Sequence, residues 1–204
     1  MSTKREKINR LFLNRGYLCG AMDRVLDGGL GWRQKIQEDL VDLHICWLDP
    51  TNKPIDIGIE DLENRKSRKI WKHSHNYDAV RNDMKIIRGV DLRMIDIADF
   101  VIANLDLEVH TCGSYEEIYL ANREMKPIII RVEQGKEECP DWLYAVIPHQ
   151  FIFSTWLEVY AYLRHIAHDP VVEHYKRWYF FDFSYSFQKK AKDIAKRIRK
   201  HGRK

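Results

Sequence analysis

Short apolar runs alternate with segments of helical period along this chain, and that alternation most narrows what it can fold into. Residues 16 to 22 form an apolar run bounded by glycines, and His44 to Leu48 form a second, ended by Asp49-Pro50-Thr51-Asn52. Ile95 to Leu105 reads as a third strand, Pro127 to Val132 as a fourth and Phe151 to Phe153 as a short fifth. Between them Trp32, Ile36, Leu40 and Leu43 recur at helical spacing. Tyr115 to Glu124 reads as a further helix, and Trp156 to Ala167 as an amphipathic one. Strands that alternate with helices pair in parallel, with both faces of the sheet covered. The expected fold is α/β: a flavodoxin-like or Rossmann-like parallel sheet of about five strands flanked by helices.

The 204 residues suffice for one domain with a full core. That domain is expected over residues 1–188, with a basic C-terminal tail at 189–204. The tail holds nine Lys or Arg against the single acid Asp193, so the net charge of +4 hides a body that is net negative. Such a tail is either a solvated helix end or a contact for nucleic acid, the first reading being preferred. Residues 49–85 read as an insertion, dense in charge from Asp61 to Asp83 and helical in parts, expected over the ligand-binding edge of the sheet.

Cys19, Cys46, Cys112 and Cys139 are scattered without paired spacing, which fits reduced thiols in a cytoplasmic protein and neither a disulfide frame nor a zinc site. His73, His75 and His110 complete no ligand set, and the glycines from Gly28 to Gly31 lack dinucleotide or Walker spacing. No metal and no cofactor is expected. No run approaches a membrane span, and the charged start at Met1 to Arg10 leads into no signal sequence.

Ligands of parallel sheets bind outside the carboxyl ends of the strands. Met22, Asn104, Asp106 and the turn before Glu117 all fall at that edge, and Asp91 is read as opening the helix before the third strand. Two carboxylates at one sheet edge are what cleavage of a glycosidic bond requires: one for the sugar carbon, one for the proton on the leaving group. They are equally what helix N-termini attract through the dipole.

Five pieces of sequence, in order, decide between these readings. They are Tyr17-Leu18-Cys19-Gly20-Ala21-Met22 with Trp32-Arg33; Asp91-Leu92-Arg93-Met94-Ile95; Ala98-Asp99-Phe100 through Asn104; Gly113-Ser114-Tyr115-Glu116-Glu117-Ile118; and Lys126-Pro127-Ile128. Together they resemble the nucleoside 2-deoxyribosyltransferase family and the related nucleoside 5′-monophosphate N-glycosidases. The resemblance implies that Glu117 is a nucleophile forming a glycosyl ester and that Asp91 handles the proton of the departing base. It implies Gly20, Met22 and Asp23 as the floor near the base, with Trp32 or Arg33 covering it. Asn104 and Asp106 contribute from the strand edge, Gly113 allows the turn and Ser114 caps the helix. Phosphate recognition by Arg33 or Ser114 would mark a nucleotide substrate; a solvated Arg33 is the other reading. Two residues before the turn glycine many transferases carry an Asp, and here stands Thr111, for which Asp106 or Glu108 could substitute.

The partners implied are a nucleoside or nucleotide substrate and further copies of the chain in a homodimer or higher homo-oligomer. Trp156, Tyr160 and Leu163 on one helical stripe, followed by the aromatic segment Tyr175 to Tyr185, supply apolar surface for such contacts. The rival reading is a catalytically idle nucleotide- or nucleic-acid-binding protein on the same fold.

Overall fold

The computed structural model describes residues 9–168 and 177–178. The chain forms two compact units, Met1–His168 and Asp169–Lys204. The basic tail and the aromatic segment, apart from Arg177 and Trp178, lie outside the described residues.

The first unit carries β1 (Arg15–Gly20), α1 (Leu30–Asp39), β2 (Cys46–Leu48), α2 (Leu62–His73), α3 (Tyr77–Ile97) and β3 (Phe100–Leu105). It continues with α4 (Cys112–Arg123), β4 (Ile128–Val132), α5 (Asp141–Val146), β5 (Ile152–Phe153) and α6 (Trp156–His168). The five strands pair in parallel in the order β2-β1-β3-β4-β5. This is the expected α/β architecture, with the strand order of flavodoxin-like sheets. Every residue of β3 is buried, as its unbroken apolar run demands at the centre of a sheet covered on both faces. Its register sets Cys19 of β1 beside Ala103, and Ala103 beside Ile130 of β4.

Two boundaries differ from the sequence reading, and both concern the proposed acids. The third strand begins at Phe100 because α3 runs on to Ile97. Ile87, Asp91, Met94 and Ile95 share its buried face, so the period through this stretch is helical. Asp91 therefore does not open a helix but lies deep within one, whose start is capped by Asn76 accepting from the Ala79 N–H. Likewise α4 begins at Cys112, after Thr111, which makes no side-chain cap. Gly113 and Ser114 sit inside the first turn of the helix and Glu117 in the second; Ser114 is not the cap.

The charged segment after β2 supplies α2, capped by Asp61 accepting from the Asn64 N–H, and the first half of α3. From α2, Arg65 donates to the Met22 carbonyl at 3.0 Å and Arg68 pairs with Asp23 at 3.2 Å, which ties this segment to the loop after β1. Tyr160 and Leu163 of α6 are buried within the chain's own fold, and Trp156 stacks on Trp32 with centroids 5.4 Å apart. The α6 stripe thus packs at home and is not the surplus surface expected from its spacing. Among the described residues no helix is long and apolar enough to cross a membrane.

Candidate functional site

The sheet order reverses between β1 and β3, and a parallel sheet opens a crevice at the carboxyl ends of such a pair. A cavity of about 440 Å³ lies there. Gly20, Met22 and Asp23 line it from the loop after β1, Asp91 from α3, and Gly113, Ser114 and Glu117 from α4. Seven of the residues singled out from sequence are therefore brought to one cavity.

Glu117 reaches the cavity from the buried side of α4, beside Ser114 and Ile118. Tyr17, in the middle of β1, donates its hydroxyl to Oε1 of Glu117 at 2.9 Å. Burial lifts the Glu117 carboxyl to about 7, against the hydrogen bonds of Cys19 and Tyr17 that favour its charged form; the charge of Asp91 pushes it further up. Glu117 stands in the second turn of α4, past the free backbone donors of the helix start, and desolvation dominates. Glu116, at the exposed rim of the same cavity, pairs with Arg88, which lowers its own proton affinity.

Gly113 is not strained. A Cβ built on it would meet nothing within 4 Å, so the missing side chain leaves open space at the start of α4, where Gly113 lines the cavity. Gly29 is different: it has φ 75°, and a Cβ there would approach the Ala21 carbonyl oxygen to 2.3 Å. That close approach shapes the loop between β1 and α1.

Asp91 faces a partner the sequence did not suggest. Lys53, from the loop after β2, sets its Nζ 2.7 Å from Oδ1 of Asp91 and 3.4 Å from Oε1 of Glu60. All three side chains are nearly inaccessible, and both carboxyls line the cavity. Burial raises the proton affinity of Asp91 while Lys53 opposes it. Burial, then the charge of Asp91, brings Glu60 to about 7.

Four expected site residues stand elsewhere. Arg33 is fully buried and is neither solvated nor a cavity wall. It donates from Nε to the Leu18 carbonyl, from Nη1 to Gly29 and from Nη2 to Gly20, at 3.2, 2.8 and 3.0 Å. Asp49 lies 3.7 Å away. Its fork is filled by backbone, so it braces the end of β1. Trp32, held against Trp156, does not cover the cavity either. Asn104 accepts from Arg131 at 3.0 Å, and Asp106 accepts from Gln134 at 2.7 Å. Both tie β3 to the end of β4 and do not line the cavity, so Asp106 does not stand in for an acid at Thr111.

Among the residues missed, Tyr17 had a signal: a tyrosine within a buried apolar strand needs a hydroxyl partner. Lys53 and Glu60 flank the alternating run Ile55, Ile57 and Ile59, which forms no strand, and neither carries such a mark.

No protein-family model matches the sequence, and no curated protein matches it. Among solved structures, the chain is similar to a 2-deoxyribosyltransferase from the psychrotolerant bacterium Bacillus psychrosaccharolyticus. The identity is 17%, covering 78% of this chain and 99% of that one, with a TM-score of 0.49. It is also similar to the 2-deoxyribosyltransferase from Leishmania mexicana, at 16% identity over 74% of this chain and 98% of that one, with a TM-score of 0.47.

Proposed function

We propose that this chain cleaves the N-glycosidic bond of a 2′-deoxynucleoside or its 5′-monophosphate and passes the deoxyribosyl group to another base or to water. The observation that carries the reading is the Glu117 carboxyl, half-buried where it lines the cavity, hydrogen-bonded by Tyr17 and sharing that cavity with Asp91. A carboxyl near 7 is ionised in a substantial fraction at neutral pH, yet is poorly solvated and so a better nucleophile than one in water.

In the first half-reaction a Glu117 oxygen bonds to the anomeric carbon as the carbon–nitrogen bond breaks. The electron pair leaves with the base, and Asp91, in its protonated form, supplies the proton the base needs. Water or a second base then attacks the same carbon, gives its proton back to Asp91, and the electron pair of the ester returns to Glu117. Two displacements give net retention.

Incubation with each deoxynucleoside and deoxynucleotide, with and without free base, followed by chromatography, tests the reaction. Exchange only when a base is added marks a transferase, and release without one a hydrolase. Ligand binding with no turnover would instead favour the idle binding protein. A 2-fluoro-sugar substrate should leave an ester on Glu117. Glu117→Ala should be inactive yet folded and Glu116→Ala active; the reverse pattern would displace the nucleophile.

The resemblance read from sequence also carries self-association into this proposal. Trp142 and Leu157, 71% and 77% exposed, are apolar residues available for it in the described region. Sedimentation at micromolar concentration gives the answer, a monomer near 24 kDa being the contrary result.

A further inference from the structure

We propose that Glu60 is a positioning residue for the leaving-group proton: Glu60 and Asp91 share one proton, held in place by the buried ammonium of Lys53. This rests on the function proposed above. Two carboxyls on the cavity wall share one buried ammonium, with Lys53 2% exposed, Glu60 8% and Asp91 11% by side chain. Two ionised carboxylates beside one cation would leave an uncompensated charge in a poorly solvated place. With one proton between them the cluster is neutral, and the cavity holds an acid that survives to neutral pH. Burial and the charge of Asp91 raise Glu60 in the direction this requires.

The charges around the pair come from every side. Asp23 on the loop after β1 acts on Glu60, and Arg33 of α1 acts on Asp91. Tyr17 of β1 and Glu117 of α4 both feel the charge of Asp91. Arg88, also on α3 and lining the cavity, is engaged by Glu116. Lys53 is the cation in direct contact with both carboxyls.

When the glycosidic bond breaks, its electron pair goes to the base nitrogen and the shared proton follows it, leaving both carboxyls ionised around Lys53. That state is costly and short-lived. Attack by water on the ester returns a proton to the pair as the ester's electron pair returns to Glu117, so the cycle balances. Without Glu60, Asp91 faces Lys53 alone and stays ionised when it should carry the proton.

Glu60→Gln tests this, because the amide keeps the shape and can still donate to an ionised Asp91. Base release is measured against pH for wild type, Glu60→Gln and Glu60→Asp, with thermal melts to confirm folding. The alkaline limb of Glu60→Gln should move to lower pH, with activity about tenfold below wild type at neutral pH and near equality on the acid limb. Glu60→Asp should recover part of the alkaline limb. Parallel profiles, lowered equally at all pH values, would overturn the inference. Carboxyl-carbon NMR titration gives a readout independent of turnover. The wild-type pair should titrate in two linked steps, and Asp91 in Glu60→Gln in one step at lower pH. Independent single titrations in the wild type overturn the shared proton whether or not base is released. Linked titration without base release leaves the shared proton standing and removes the proposed reaction.

Discussion

The hydroxyl of Tyr17 donates to the carboxyl of Glu117 at 2.9 Å across 100 residues of sequence. One residue is fixed by a central strand and the other by a helix packed over it, so the bond orients the carboxyl without help from the substrate. Its loss should be legible in a pH profile. Tyr17→Phe removes a bond that favours the charged carboxylate, so Glu117 should hold its proton to higher pH. The acid limb of the rate profile should move upward, and stability should fall by about 1.5–3 kcal/mol where Glu117 is ionised. A loss of rate equal at all pH values would assign Tyr17 to packing alone.

The same carboxyl links activity to stability. Its folded value, about 7, lies above that of an exposed glutamate, so the folded chain keeps a proton that the unfolded chain has released. The stabilisation is complete below the unfolded value and is lost as pH rises through about 7. Glu117→Gln carries no charge to desolvate. It should be inactive yet more stable than wild type at about pH 8, by up to about 3 kcal/mol, and within about 1 kcal/mol at about pH 5. Denaturant unfolding at the two pH values measures this, and a constant difference would mean that the carboxyl is better solvated than its surroundings indicate.

Arg33 should behave as a structural residue. Its guanidinium serves three backbone carbonyls in one plane, a task that an ammonium cannot reproduce. Arg33→Lys should destabilise the chain by about 2–4 kcal/mol in denaturant unfolding. Any fall in activity should be the same for a nucleoside and for its 5′-monophosphate. A selective loss on the monophosphate would restore Arg33 as a phosphate ligand.

Gly113 offers a case where stability and activity should part. A methyl group there meets nothing, and alanine is the better helix former, so Gly113→Ala should gain up to about 1 kcal/mol. The methyl enters the space that Gly113 leaves open beside the cavity, and kcat/KM should fall with KM rising. An unchanged KM would show that substrate does not pass over the first turn of α4.

The sequence by itself determined the layered fold, because its apolar runs are continuous where strands are buried on both faces and periodic where helices cover them. Phe100 to Leu105 and Ile128 to Val132 could be little else. It also brought Glu117 to the carboxyl edge, since chain order places α4 directly after β3, whereas Asp91 reaches the same cavity from within α3 and not from the helix start expected of it. Tertiary structure decided what each side chain does there. Whether Arg33 meets solvent, phosphate or carbonyl depends on where the loop at Gly29 turns back, and no local pattern records that. Asn104 and Asp106 stand at the right edge yet point to partners on and just after β4, 27 and 28 residues on. The extent of α3 was hidden because its exposed face is charged and its buried face includes an acid, which breaks the apolar stripe at Asp91. Lys53 and Glu60 meet Asp91 only after α2 and α3 fold back over the sheet. A buried charge cluster is invisible in sequence for that reason: its members are polar residues like any on the surface until distant segments remove the water between them.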